Sequence, residues 1–115
     1  MYIYFDKNGL MVSNESESSG QLGRFYEVIV GKQSESYRTL DTIEFQKGNP
    51  EKVGINGVTN ELLLAILIHR TRILNAELAC EENKRAIEFM ELALLEFETR
   101  AMKVSLQDKQ ALTTV

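Results

Sequence analysis

The chain has one cysteine, one histidine, one proline and no tryptophan. Cys80 alone can neither close a disulfide within the chain nor build a cysteine-cluster zinc site. Long apolar runs are also missing. The longest, Leu62 to Ile68, covers seven residues, far short of the roughly 18–20 that a bilayer crossing needs. The opening MYIYFDKNGL has neither the basic start nor the apolar stretch of a signal peptide, so the expectation is a soluble cytoplasmic protein with no membrane partner. Thirteen cations against 17 anions leave a net charge of −4. This lacks the basic excess that a DNA or RNA polymer calls for, although a small anionic ligand needs only a few well-placed cations. No Gly-rich phosphate loop, HExxH, CxxC or GxSxG pattern is present.

What is present is a single-domain length of 115 residues, 43% of them apolar, enough for a modest core. The two halves differ. Residues 1–58 read as strands and turns. Tyr2-Ile3-Tyr4-Phe5, the turn Asp6-Lys7-Asn8-Gly9 and Leu10-Met11-Val12 predict a β-hairpin. Ser13 to Gln21 reads as a mobile loop. Arg24 to Val30 is a strong strand candidate and Thr42 to Gln46 a weaker one. Lys47 to Gly57 holds three glycines and Pro50 and reads as the connecting loop.

Residues 59–106 read as two helices. Thr59 can cap the first, with Glu61 in its first turn, and the helix should end near Leu74-Asn75. The second starts near Ala79-Cys80, and Ile87, Met90, Leu94, Phe97 and Ala101 form one apolar stripe. The short connection predicts an antiparallel helical hairpin. The expected fold class is therefore α+β: a small N-terminal antiparallel sheet, then an antiparallel two-helix hairpin, with 107–115 as a flexible tail. With about 15 residues in the first helix and about 26 in the second, lengths of roughly 23 and 39 Å follow. The second should overhang the first and expose Phe97, Met102 and Val104, which points to self-association through the helices.

Several polar residues are candidates for chemistry. His69 reads as a core or interface histidine, because a catalytic base would need a nucleophile or carboxylate beside it. Cys80 reads as a small buried residue at the hairpin bend. The cations of His69-Arg70-Thr71-Arg72 complement a helix C-terminus. Asn83 is either a solvated first-turn residue or a donor and acceptor for a base edge or ribose. Arg100 and Lys103 lie one turn apart. They form an ordinary charged face with Glu96 and Glu98, or they converge on a symmetry axis around an anion. Tyr2, Tyr4, Phe25, Tyr26 and Arg24 are either sheet core or a clamp on a nucleotide.

The run Ile55-Asn56-Gly57-Val58-Thr59-Asn60-Glu61 through Ile68-His69-Arg70, then Ala79-Cys80-Glu81-Glu82-Asn83 and Thr99-Arg100, resembles the hairpin domain shared by phage anti-CBASS and Thoeris anti-defence proteins. The opening Tyr2-Ile3-Tyr4-Phe5-Asp6 and the β-rich first half resemble the type I Thoeris anti-defence proteins in particular. The resemblance implies a non-enzymatic sponge that sequesters glycocyclic ADP-ribose, a cyclic ADP-ribose isomer, in the cytoplasm of the infected bacterial host. It implies a homo-oligomer, a hexamer built as a trimer of dimers, and no cofactor. Some members also hold the cyclic trinucleotides of CBASS defence at a separate three-fold site.

By the same resemblance, Asn83 matches an asparagine that contacts the glycocyclic ADP-ribose, and Arg100 an arginine that serves ligand phosphates. Ile73 stands where the family commonly has a phenylalanine that stacks on the base. It can pack on an adenine but offers no π-face, so either adenine affinity is lower or Tyr26 or Phe25 takes over the stacking. Val104 stands where many members have a second arginine, with Lys103 as the nearest substitute. Two other readings of the chain compete. One is an oligomeric structural or adaptor protein with no nucleotide ligand, and the other a small hydrolase or cyclase using His69.

Overall fold

A computed structural model describes residues 2–14, 23–31 and 37–113, with side chains through 107. It is α+β, as expected. Four strands come first, β1 (Tyr2–Phe5), β2 (Leu10–Asn14), β3 (Phe25–Val30) and β4 (Arg38–Glu44). Three helices follow, α1 (Pro50–Val53), α2 (Asn60–Glu77) and α3 (Glu81–Thr113). The chain divides into two compact units, Met1–Thr59 and Asn60–Val115.

The first unit is one antiparallel sheet of order β1-β2-β3-β4. The first hairpin closes as the sequence predicts. The Asp6 carboxylate accepts from the N–H groups of Asn8 and Leu10 (2.8 and 3.0 Å), fixing the turn. Gly9 carries a φ of 89°, a region L side chains avoid, and a Cβ there would meet the Gly31 carbonyl oxygen at 2.4 Å. The predicted Arg24–Val30 strand is β3. Of the weaker 42–46 candidate, residues 42–44 end β4, which starts earlier at Arg38, and residues 45–46 lie beyond it. Its polar first residues hide it from any hydropathy pattern. Ser13 and Asn14, the first residues of the predicted loop, instead complete β2, and the rest of that segment lies outside the described residues.

The connecting loop is more ordered than its glycines suggest. Asn49 accepts from the Glu51 N–H and caps α1, with Pro50 at its first position. Phe45 and Val58 form a parallel bridge. Asn56 grips Lys47 from both sides, accepting from its N–H and donating to its carbonyl, each at 2.9 Å. The Gln46 amide accepts from the Asn56 N–H and donates to the Gly54 carbonyl. Gly57 is required here, because a Cβ would lie 2.4–2.6 Å from backbone atoms of Phe45, Gln46 and Glu44.

The second unit is the predicted hairpin, with α2 packed on α3. Ile68 is buried and Leu64, Thr71 and Asn75 are half-buried, a three-to-four spacing that marks the packed face of α2. On α3 the half-buried residues are Asn83, Ala86, Ile87, Met90, Ala93, Leu94 and Phe97. Arg72 pairs with Glu91 across the two helices. Counting outward from that pair puts Phe97 beside α2 and Asn60 opposite Lys103. The overhang thus begins near Lys103, and Phe97 is not part of it. Ala101, the last residue of the predicted stripe, is exposed.

Both helices are longer than expected, 18 and 33 residues, or roughly 27 and 50 Å. The 107–113 segment, read as tail, continues α3. It contains no proline or glycine, so nothing in its composition stops the helix. Among the described residues no helix is long and apolar enough to cross a membrane. Among the described residues the buried apolar side chains are Met11 and Ile68.

Candidate functional site

The expected site residues fall in both units. In the sheet unit, Arg24 is held in place. Its Nε donates to the Phe45 carbonyl at 3.2 Å, one terminal nitrogen pairs with Glu44 at 2.9 Å, and its guanidinium lies 4.9 Å from the Phe25 ring centre. Tyr26 is half-buried and meets Phe45 edge to face at 5.6 Å. Both residues therefore tie β3 to the segment after β4. More open are Tyr2 and Phe5, whose rings touch at 5.6 Å, and Tyr4.

In the helical unit the site candidates lie on different faces. Asn83 is in the first turn of α3 and half-buried, in phase with Ile87, Met90 and Leu94 that pack on α2. Its N–H is bonded to the Cys80 sulfur at 3.4 Å. Cys80 is exposed, contrary to the buried reading. It occupies the cap position just before α3, and its own N–H is bonded to the Asn75 side chain, so the sulfur sits at the open end of the bend and not between the helices. Arg100 and Lys103 are exposed and one turn apart. The seventeen-residue separation from Asn83 to Arg100 corresponds to roughly 26 Å along the helix and about 100° around it.

Ile73 lies on the outer side of α2, where Leu62, Ala65, Ile66, His69, Arg70, Ile73 and Leu74 line an open groove of about 500 Å³. At 100° per residue this face is turned away from the Ile68 face that meets α3. The groove floor is apolar, and its two polar groups are an imidazole and a guanidinium. His69 is exposed in it and is not a core histidine. The apolar all-round run 62–68 places Ile68 inward, and His69, about 100° further round the helix, is exposed. Sequence reading singled out Ile73 and missed its company, because Leu62, Ile66 and Leu74 look like core residues in a run with no polar interruption.

Single chains therefore present three separate features: an apolar groove with an imidazole and a guanidinium around Ile73, a half-buried amide at Asn83, and a cationic pair at Arg100 and Lys103. Each suits part of a phosphorylated, base-bearing ligand, stacking or apolar contact for a base, hydrogen bonding for a ribose or base edge, charge for a phosphate. Among the described residues no three His, Cys, Asp or Glu side chains cluster as metal ligands.

Comparison with known proteins gives a relative. Over 57 residues the chain is 44% identical to Thoeris anti-defense 1 of Bacillus phage SBSphiJ7. That stretch covers 49% of this chain and 40% of the phage protein, so the chain spans less than half the length of the curated relative it matches. No protein-family model matches the chain. The resemblance to Thoeris anti-defence proteins read from the sequence thus holds over about half of the chain.

Proposed function

We propose that this protein counters Thoeris defence during phage infection by binding a cyclic ADP-ribose isomer, glycocyclic ADP-ribose, and holding it without cleavage. The observation that carries this reading is the 44% identity to Thoeris anti-defense 1 over 57 residues. In this reading Asn83 bonds the ribose or base edge, Ile73 packs on the adenine and Arg100 with Lys103 neutralises phosphate. Tyr26 and Arg24, on the sheet unit, are further candidates for ligand contact. The site acts in the host cytoplasm and uses no cofactor, and assembly of copies into a hexamer completes it. A sponge works by tight, preorganised binding, and stabilisation of the protein grows with ligand concentration.

The cationic pair at Arg100 and Lys103 also supports a second ligand class, the cyclic trinucleotides of CBASS, gathered where several copies bring these cations together. Val104 in place of a second arginine makes that site weaker than in relatives that carry both.

The test is to mix the purified chain with glycocyclic ADP-ribose made by a TIR enzyme, measure depletion from solution, then heat and identify what is released. Intact signal recovered on heating is the expected result. A cleaved product would make the protein an enzyme. No depletion of this signal or of a cyclic trinucleotide would leave the competing reading of an oligomeric adaptor, which the extensive exposed apolar surface of the helices favours.

A further inference from the structure

Four arginines lie on the helical hairpin, and their surroundings differ. Arg72 pairs with Glu91. Arg85 has Glu81, Glu82 and Glu88 within one helical turn, and Arg100 has Glu96. At the same spacings Arg70 has Ile66, Leu67, Ile73 and Leu74, all apolar. Arg70 is exposed and roughly 160° round α2 from Ile68, so it is turned away from α3 and its carboxylates. The first acid on its own side of α2 is Glu77, seven residues on and roughly 10 Å away. Among the described residues Arg70 makes no ion pair. A guanidinium is thus set uncompensated in an apolar groove of about 500 Å³, in a chain whose net charge is −4.

The same groove offers a surface for a ring. Ile73 is 49% exposed and lies one turn from Arg70, about 60° round the helix. A base packed on Ile73 is therefore within reach of the Arg70 guanidinium. It is not within reach of Arg100 on the same chain. Counting from the Arg72–Glu91 pair, Ile73 stands level with Met90, and Arg100 is roughly 15 Å further along, on the helix behind the groove.

We propose that Arg70 is the phosphate-binding residue of this groove, which takes the adenine and the adjoining diphosphate of one ligand together. The inference rests on the sponge reading for the ligand, and Arg100 meets such a ligand only from another copy. Of the two polar groups in the groove, the guanidinium carries a permanent charge and a fork of parallel N–H donors that fits two phosphate oxygens. Its apolar neighbours leave the fork without a competing partner. Glu77 repels phosphate from the far end, so the diphosphate lies over Arg70 and the base toward Ile73.

The experiment is calorimetric titration of the full chain with glycocyclic ADP-ribose at low and at high salt, for the wild type, Arg70→Gln and Arg70→Lys, with helicity followed by circular dichroism. Both replacements are good helix formers at an exposed position, so helicity is expected to stay unchanged. Arg70→Gln is expected to weaken binding about tenfold or more, and Arg70→Lys to recover part of the loss. Wild-type affinity is expected to fall with salt, and that of Arg70→Gln to fall less, because one charge contact is gone. A wild type that binds the ligand and an Arg70→Gln that binds it equally well overturn the inference and leave the sponge reading standing. A weakened Arg70→Gln with the wild-type salt dependence also overturns it, as does an Arg70→Lys no better than Arg70→Gln. A wild type that does not bind glycocyclic ADP-ribose overturns both.

Discussion

Asn83 and Arg100 share one helix but not one face: Asn83 is half-buried against α2, and Arg100 is exposed roughly 26 Å further along and about a quarter turn round. A cyclic dinucleotide-sized ligand cannot bridge that distance. Either the two residues serve different ligands, or one ligand meets them from different copies.

Asn83→Ala and Arg100→Ala each remove a polar contact, with a cost on the order of 1.5–3 kcal/mol where the contact is charge-assisted. Titration calorimetry with glycocyclic ADP-ribose and with a cyclic trinucleotide should show at least one of the two ligands weakened about tenfold or more by each variant. Unchanged affinity in both variants for both ligands would place the pocket elsewhere.

Ile73→Phe should strengthen binding of an adenine-bearing ligand. Base stacking on an aromatic ring is worth about 1–3 kcal/mol, and Ile73 is half exposed, so the larger ring meets little resistance. Fluorescence competition reads the change. Weaker binding would remove Ile73 from the base contact.

Phe97→Asp should lower the melting temperature of the hairpin. Phe97 sits on the packed face of α3 beside α2 and not on the overhang, and a carboxylate there loses solvation without gaining a partner. A variant with wild-type melting and helicity would put Phe97 outside the interface between the helices.

Gly57→Ala should destabilise the sheet unit by about 1–3 kcal/mol, the usual cost of forcing atoms into a packed site, because its Cβ would strike backbone and not a movable side chain. Scanning calorimetry checks it. Asn56→Ala should in turn speed amide exchange at Lys47, whose N–H it accepts.

His69→Ala should leave ligand capture without turnover intact, since the exposed imidazole has no ion pair among the described residues and a lone imidazole lacks the carboxylate partner of a catalytic base. Loss of a catalysed product in this variant, with such a product present in the wild type, would revive the hydrolase reading.

Local chemistry determined much of this protein. The Asp6–Gly9 turn between β-formers specified the first hairpin, because side-chain acceptors and a positive φ act over four residues. The apolar stripe from Ile87 to Phe97 specified the α3 packing face, because its period is that of the helix. The residues linking the chain to Thoeris anti-defence proteins were equally legible.

Tertiary structure decided the rest. Leu62 to Ile68 is apolar at every position, so no pattern in it says which side packs. Only the contact with α3 turns Ile68 inward and leaves Leu62, Ile66 and Ile73 to form a groove with Arg70. The β4 start and α1 were invisible because polar strand residues and a four-residue helix carry no period. Whether Asn83 and Arg100 face together depends on the angle accumulated over seventeen residues of one continuous helix, and spacing alone left that helix's packed side unassigned.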